Sequence, residues 1–226
     1  FGGELNKLQL WQHFQGIEIE TSKDIFDDDI VNLMDFNCDQ RNDVHFFYTL
    51  PFSKNRALIE TTWLSSLEDE SLKDYDLQLE NYIKNNLGIK SYKINFTEKG
   101  AIPLFYPIFK NNNKTINIGS AGGMTRLSTG YTFLNIQEHS KYLVKNIANI
   151  DKIKKFNLGK KYQFLDKVFL RVLKKYPEKM PKIFFNMFNA SSKTIIKFLS
   201  NKSNIFDDIN IISKMPKFTF LRALFY

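Results

Sequence analysis

Four of the ten glycines in this 226-residue chain fall within one sixteen-residue stretch, Ile118-Gly119-Ser120-Ala121-Gly122-Gly123-Met124-Thr125-Arg126-Leu127-Ser128-Thr129-Gly130-Tyr131-Thr132-Phe133. The β-type run Thr115-Ile116-Asn117-Ile118 precedes it, and an apolar helical pattern through Ile136, Tyr142, Leu143 and Ile147 follows. Glycine tolerates positive φ and lets another backbone or a ligand come close. A strand that empties into such a turn and then a helix offers free backbone N–H groups and a positive dipole end to a phosphate. The same string also describes a tight turn with no ligand. It is neither G-x-G-x-x-G nor a Walker sequence, so the residues alone leave both readings open.

On either side of that stretch the patterning differs. From Gln12 to about Pro107 it is mainly β, with runs around Phe14–Ile19, Asn32–Asn37, Val44–Phe52, Ala57–Leu64 and Ser91–Thr97. One helical pattern interrupts them at Asp69–Leu87, where Leu72, Tyr75, Leu79, Tyr82 and Ile83 share a face and Asn86-Leu87-Gly88 suits a C-cap. Asn111-Asn112-Asn113 reads as a hairpin loop. From Phe164 on, the chain reads helical: Phe164, Leu165, Val168, Phe169, Val172 and Leu173 form one apolar face, which Pro177 and Pro181 terminate. A second helix carries Ile183, Phe184, Met187 and Phe188, and a third follows Ser191/Ser192 as N-caps. The expected fold is α/β: an antiparallel sheet region over 1–114, a strand–turn–helix over 115–149, and a basic helical region over 150–226.

Charge follows the same division. Residues 1–150 carry 15 Lys and Arg against 19 acids; residues 151–226 carry 17 against 5. A basic segment interleaved with Phe, Ile and Leu suits a polyanion or an anionic membrane face, or is simply a solvated surface. No apolar run reaches the ~18 residues that span a bilayer. The lone cysteine, Cys38, excludes an internal disulfide and suits a reducing compartment.

Among residues that could carry chemistry, Glu60 stands out. It sits in Arg56-Ala57-Leu58-Ile59-Glu60-Thr61-Thr62-Trp63, an otherwise apolar and β-branched run. Alternation puts Leu58, Glu60 and Thr62 on one face and Ala57, Ile59, Thr61 and Trp63 on the other. A carboxylate there either faces solvent or is buried with a raised pKa. Glu98, ahead of Gly100 and Ile102-Pro103, and Asp35, in Met34-Asp35-Phe36, are further acids in apolar surroundings. His13, His45 and His139 lack metal-ligand spacing and read as structural. Phe46, Phe47, Tyr48, Phe52, Phe105 and Tyr106 are core, or in part line a long apolar cavity.

The Gly-rich string resembles the second flavin-contacting segment of the FAD-dependent lycopene cyclases, a G-x-A-G-G-M-x-R-P-S-T-G-Y type sequence. Other collinear segments are similar to that family: Leu10–Gly16 with Glu18–Thr21, Leu33–Phe36, Phe47–Ser53 with Ala57–Glu60, Glu98–Pro103, Phe198–Ser200 and Pro216–Leu224. The resemblance implies a flavoprotein-like fold. It implies flavin contacts at Gly119, Ala121, Gly122, Gly123, Met124, Thr129 and Gly130. It gives Glu60 the position of the family's acid/base motif, L-I-E-[DE]-T, and places Glu98 near the flavin, with Asp35 a third candidate catalytic acid. The implied reaction converts lycopene, or another linear carotene, to β-ring ends by proton-initiated isomerisation with no net redox change. Reduced FAD is the implied cofactor, with NAD(P)H as electron source. Partners would be the carotene and a membrane surface, not nucleic acid, and the location cytoplasmic and peripheral to the membrane. A related FAD-dependent hydroxylase or isoprenoid reductase, and a non-catalytic basic membrane- or RNA-binding module, are the alternatives. The chain starts at Phe1 and lacks G-x-G-x-x-G, so a fragment without the family's N-terminal dinucleotide-binding unit is expected. Two positions depart from the family: Leu127 stands where Pro is usual, and Asn37 where Arg is common. The motif's second acid is Thr61 here.

Overall fold

A computed structural model describes residues 9–106 and 116–225, the side chains of 150–152 excepted. They form two compact units, 9–102 and 103–225. The first holds a five-stranded sheet built from β1 (Trp11–Glu20), β2 (Asn32–Asp35), β3 (Val44–Ser53), β4 (Arg56–Ser65) and β5 (Lys93–Pro103), in the order β2-β3-β4-β1-β5. β1 pairs with β4, β4 with β3 and β3 with β2, all antiparallel. A short 3₁₀ turn at Glu70–Lys73 leads into α1 (Tyr75–Asn85), so the helical pattern expected from Asp69 divides in two.

The alternation in β4 decides which face is which. Ala57, Ile59, Thr61 and Trp63 are wholly buried. Ala57 and Ile59 form one core with Ile17, Ile19 and Phe47 of the sheet and Leu79, Tyr82 and Ile83 of α1. Phe47 stacks flat on Tyr82, with ring centroids 3.9 Å apart. Polar groups on this side find partners, as buried ones must: Gln78 Oε1 accepts from Thr61 Oγ1 at 2.7 Å and from Trp63 Nε1 at 2.9 Å. His45 stacks on Trp63 and bonds Thr61 Oγ1 at 2.8 Å, and His13 bonds Tyr75 and Ser65. Burial holds both imidazoles down at about 4, so they are neutral fillers of the core.

The second unit is helical: α2 (Phe133–Asn146), α3 (Lys160–Lys175), α4 (Met180–Phe188), α5 (Ser192–Leu199), α6 (Ile205–Lys214) and α7 (Lys217–Leu224). Ser191 caps α5 as the sequence indicates, its hydroxyl accepting from the Thr194 amide at 3.2 Å. Asn204 and Asp207 close a reciprocal capping box on α6. Pro181 does not end a helix; it sits in the first turn of α4, where its missing N–H costs nothing. Phe184, on the apolar side of α4, is core and meets Phe169 edge-on at 5.5 Å. The expected strand at 115–118 is not formed over 116–118, although Ile118 is extended. Thr115 and the Asn111–Asn113 loop lie outside the described residues. The Gly-rich turn and the basic helices, separate segments in the sequence reading, belong to one unit.

Candidate functional site

Glu60 lies mid-strand on the face of the sheet opposite α1. Register pairs it with Gly16 of β1 on one side and Tyr48 of β3 on the other. Directly opposed residues of antiparallel strands point the same way, so Glu60 and Tyr48 share a face, together with Phe14, Phe46 and Thr62. Phe46 and Tyr48 meet edge to face at 5.2 Å. Gly16 is what lets β5 contribute. A Cβ there would come within 3.2 Å of both Cγ and Oε1 of Glu98 and 3.1 Å of Leu58. Glu98 therefore lies across the bare backbone of β1, on the side where Glu60 stands.

The electrostatics follow from this packing. Burial pushes the Glu60 carboxyl up, the hydrogen bond from Thr62 Oγ1 at 2.6 Å pulls it down, and the charge of Glu98 raises it further, to about 7. Tyr48 is raised as well, by burial and then by Glu60, and keeps its proton. A carboxyl half-protonated near neutrality beside a second carboxylate can deliver a proton and have one taken up nearby.

Of the three candidate acids, the structure brings Glu60 and Glu98 together and sets Asp35 apart. Asp35 faces Phe47 across the β2–β3 pair, on the α1 side, and accepts from Tyr82 at 2.6 Å and from the Asn37 amide at 2.9 Å. Thr61, at the motif's second acidic position, also points to the α1 side, so a carboxylate there would not join Glu60. The second acid on this face comes from β5. The aromatic set divides likewise: Phe46 and Tyr48 join Glu60, Phe47 packs on α1, and Phe52 and Tyr106 are exposed.

In the other unit the Gly-rich string forms a single 3₁₀ turn, Gly119–Gly122, closed by Gly123 in the left-handed region at φ 71°. Gly122 can be nothing else, because a Cβ would lie 2.6 Å from the Asn117 carbonyl oxygen. At Gly123 the nearest atom to a Cβ, on Tyr106, is 3.9 Å away, so the requirement is conformational. Gly119, Ala121, Gly122, Gly123, Thr129 and Gly130 are partly exposed, whereas Met124 is buried beneath the turn. The amides of Gly122, Gly123 and Met124 are bonded within the turn to Ile118, Ser120 and Gly119. The string is thus a side-chain-poor surface whose last three amides are used within the turn itself.

What sequence reasoning missed is how the turn is held. Arg126, fully buried, donates Nη2 to Asp166 Oδ1 of α3 at 2.7 Å and Nη1 to the Phe198 carbonyl at 2.6 Å and Asn201 at 3.2 Å. Asp166 also accepts from Ser128 Oγ at 2.7 Å and from the Leu127 amide at 3.0 Å. That last bond needs an N–H, so a proline at 127 could not make it. The signal was present in an Arg inside the Gly-rich string and an Asp within the apolar face of α3, but sequence does not pair them.

The family model described as "Lycopene cyclase protein" matches residues 4–225, and the chain belongs to that family. Over 87 residues it is 36% identical to the lycopene beta cyclase, chloroplastic/chromoplastic, of Narcissus pseudonarcissus, a stretch covering 38% of this chain and 17% of that protein. It is 33% identical over 86 residues to the chloroplastic lycopene beta cyclase of Arabidopsis thaliana, with the same coverage of 38% and 17%. These matches span less than a fifth of either relative. In fold it is similar to a geranylgeranyl bacteriochlorophyll reductase-like protein from Thermoplasma acidophilum, with a TM-score of 0.52 and 13% identity over 98% of this chain and 56% of that one.

Proposed function

We propose that this chain supplies the acid-bearing sheet and the flavin-contacting turn of a lycopene cyclase that forms β-ionone rings. The observation that carries the reading is Glu60, held by Thr62, raised to about 7 and facing Glu98 across Gly16. Glu60 protonates the terminal double bond of a linear carotene, the end group closes on the resulting cation, and Glu98 takes up the proton whose loss leaves the ring alkene. Atoms balance as an isomerisation. Phe46 and Tyr48 offer aromatic faces to the cation. Formation of β-carotene in a lycopene-accumulating host by the complete gene product tests the reading; unchanged lycopene would overturn it.

The partly exposed, side-chain-poor surface of Gly119–Gly123 fits a planar cofactor, and Gly119, Ala121, Gly122, Gly123, Thr129 and Gly130 would hold the flavin, with Met124 supporting from below. When bound, reduced FAD, renewed by NAD(P)H, would supply negative charge of the kind that steadies a carbocation. Gly123→Val forces a branched residue to φ 71°, at about 1–2 kcal/mol, and puts its side chain on this surface. The expected outcome is a folded protein depleted of flavin absorbance; full flavin content in the folded variant would make the turn merely structural.

Such an enzyme, peripheral to the membrane on its cytoplasmic side, meets its substrate at a bilayer. No helix among the described residues is long and apolar enough to cross one. The surface that suits an interface is on α6 and α7. Ile205, Phe206, Ile209 and Ile212 form an exposed stripe on α6; Phe218 is 82% and Phe225 87% exposed at α7. With Lys214, Lys217 and Arg222 they make a mixed apolar and basic face. Replacing Phe206 and Phe218 by Ser is expected to cut sedimentation with anionic vesicles by at least about tenfold, and wild-type binding to weaken with salt. Binding indifferent to both changes would rule the surface out.

A further inference from the structure

The helical unit contains a pocket of about 380 Å³, lined from α3, α4, α5, α6 and α7 and, on one side, by Ser128 and Thr129 of the Gly-rich segment; Glu60 and Glu98 take no part in it. That volume lies within the ~300–1,000 Å³ range of ligand sites. Its floor is formed by the buried Val168, Met187 and Ile211, and its rim by the half-exposed Phe164, Ile212 and Leu221. Ser128, Thr129 and Asp166 also border it, but Ser128 and Asp166 are bonded to each other, Asp166 to Arg126 and the Leu127 amide, and the Thr129 hydroxyl accepts from the Tyr131 amide at 3.4 Å. These side chains are committed within the protein, and the part of a ligand that enters must be hydrocarbon, since a buried polar group without a partner is costly.

The rim carries the opposite instruction. Lys217 lines the pocket and is exposed. Lys214 at the end of α6 and Arg222 on α7 stand on the same two helices, and residues 209–225 contain no acid. None of these three cations is in an ion pair among the described residues. An apolar pocket bordered by the exposed, unpaired Lys217, with Lys214 and Arg222 elsewhere on the same two helices, matches an amphiphile with one hydrocarbon chain inside and an anionic head outside. A carotene has no group for Lys217 to meet.

We propose that this pocket takes the hydrocarbon chain of an anionic membrane lipid, with the headgroup held at Lys217. The chain anchors the helical unit at one defined point, in addition to the partitioning of the exposed Phe residues. The acid pair does not line the pocket, so a Glu60→Gln protein binds the lipid as its parent does and the two readings fail separately.

The probes are cis-parinaric acid, a fluorescent 18-carbon acid, and its methyl ester. The expected result is a saturable rise in probe fluorescence at one acid per chain, reversed by phosphatidylglycerol vesicles and not by phosphatidylcholine vesicles. Lys217→Glu weakens the acid about fivefold and leaves the ester unchanged. Met215→Trp, in the link between α6 and α7 that borders the pocket, weakens both at least about tenfold by filling it. Should that variant fold poorly, Leu221→Gln, at a half-exposed rim position, carries the same expectation. Absence of saturable binding overturns the proposal, as does binding that ignores the pocket variants. Equal affinity for acid and ester, with displacement by neutral carotene, would assign the pocket to the carotene instead and also overturn it.

Discussion

Glu60→Gln in the complete gene product is expected to abolish ring formation while the protein folds and keeps its flavin. Gln preserves the shape and can still take a hydrogen bond from Thr62, but it has no proton to give. Loss of a general acid lowers rates by about 10²–10⁴, enough for a lycopene-accumulating host to stay red. The same substitution has a stability signature that separates it from damage. The folded value of Glu60, about 7, lies above its unfolded value of 4.5. Its contribution therefore favours the folded chain below about 4.5 and is lost as pH rises through about 7. A neutral amide escapes that loss, so the variant should be more stable than wild type at pH 8, by about 2 kcal/mol after discounting for partial exposure, and show no such advantage at pH 4. Wild-type cyclisation should decline above pH 7 as the acid form disappears. Near-normal β-carotene from the variant, or a pH-independent rate, would remove Glu60 from the role of acid.

The different visibility of these features has a physical cause. Alternation along Ala57–Trp63 fixed the face of Glu60, because a strand has a period of two and one face was plainly apolar. Helices α3, α4 and α5 could be read from apolar spacing and from Ser191, since those signals are local. The pairing of Glu60 with Glu98 could not. It depends on β5 lying beside β1, and on Gly16 leaving room for a side chain from the next strand. Nothing local to Gly16 in the sequence marks it as that opening. Asp35 shows the converse: an acid among apolar residues looks like a site until Tyr82, 47 residues away, proves to be its partner. The turn was misread in one respect. The run Thr115–Ile118 has strand-like composition, but its described part, 116–118, forms no strand, and the Asn117 carbonyl lies close against Gly122.

Arg126→Met is expected to be the most destabilising single change in the helical unit. It removes a guanidinium with no exposed surface and leaves the Asp166 carboxylate, 1% exposed, with only the Ser128 hydroxyl and the Leu127 amide. Breaking a buried ion pair from one side costs about 3–5 kcal/mol, a large share of the ~5–15 kcal/mol that holds a domain together. The Phe198 carbonyl also loses its 2.6 Å donor, and the rings of Tyr162 and Phe198, each 4.8 Å from the guanidinium carbon, lose their cation. Arg126→Lys should recover little, because one ammonium cannot span Asp166 and the Phe198 carbonyl as the planar fork does. Adding Asp166→Leu to Arg126→Met should recover part of the loss, since a hydrophobic pair needs no compensation for buried charge. Recovery stays incomplete because Ser128 and the Leu127 amide then lose their acceptor. Thermal unfolding of the four proteins measures the series, with the single variant melting about 10 °C or more below wild type. A melting point for Arg126→Met within about 2 °C of wild type would mean that the turn is held by its apolar packing and that the buried pair is dispensable.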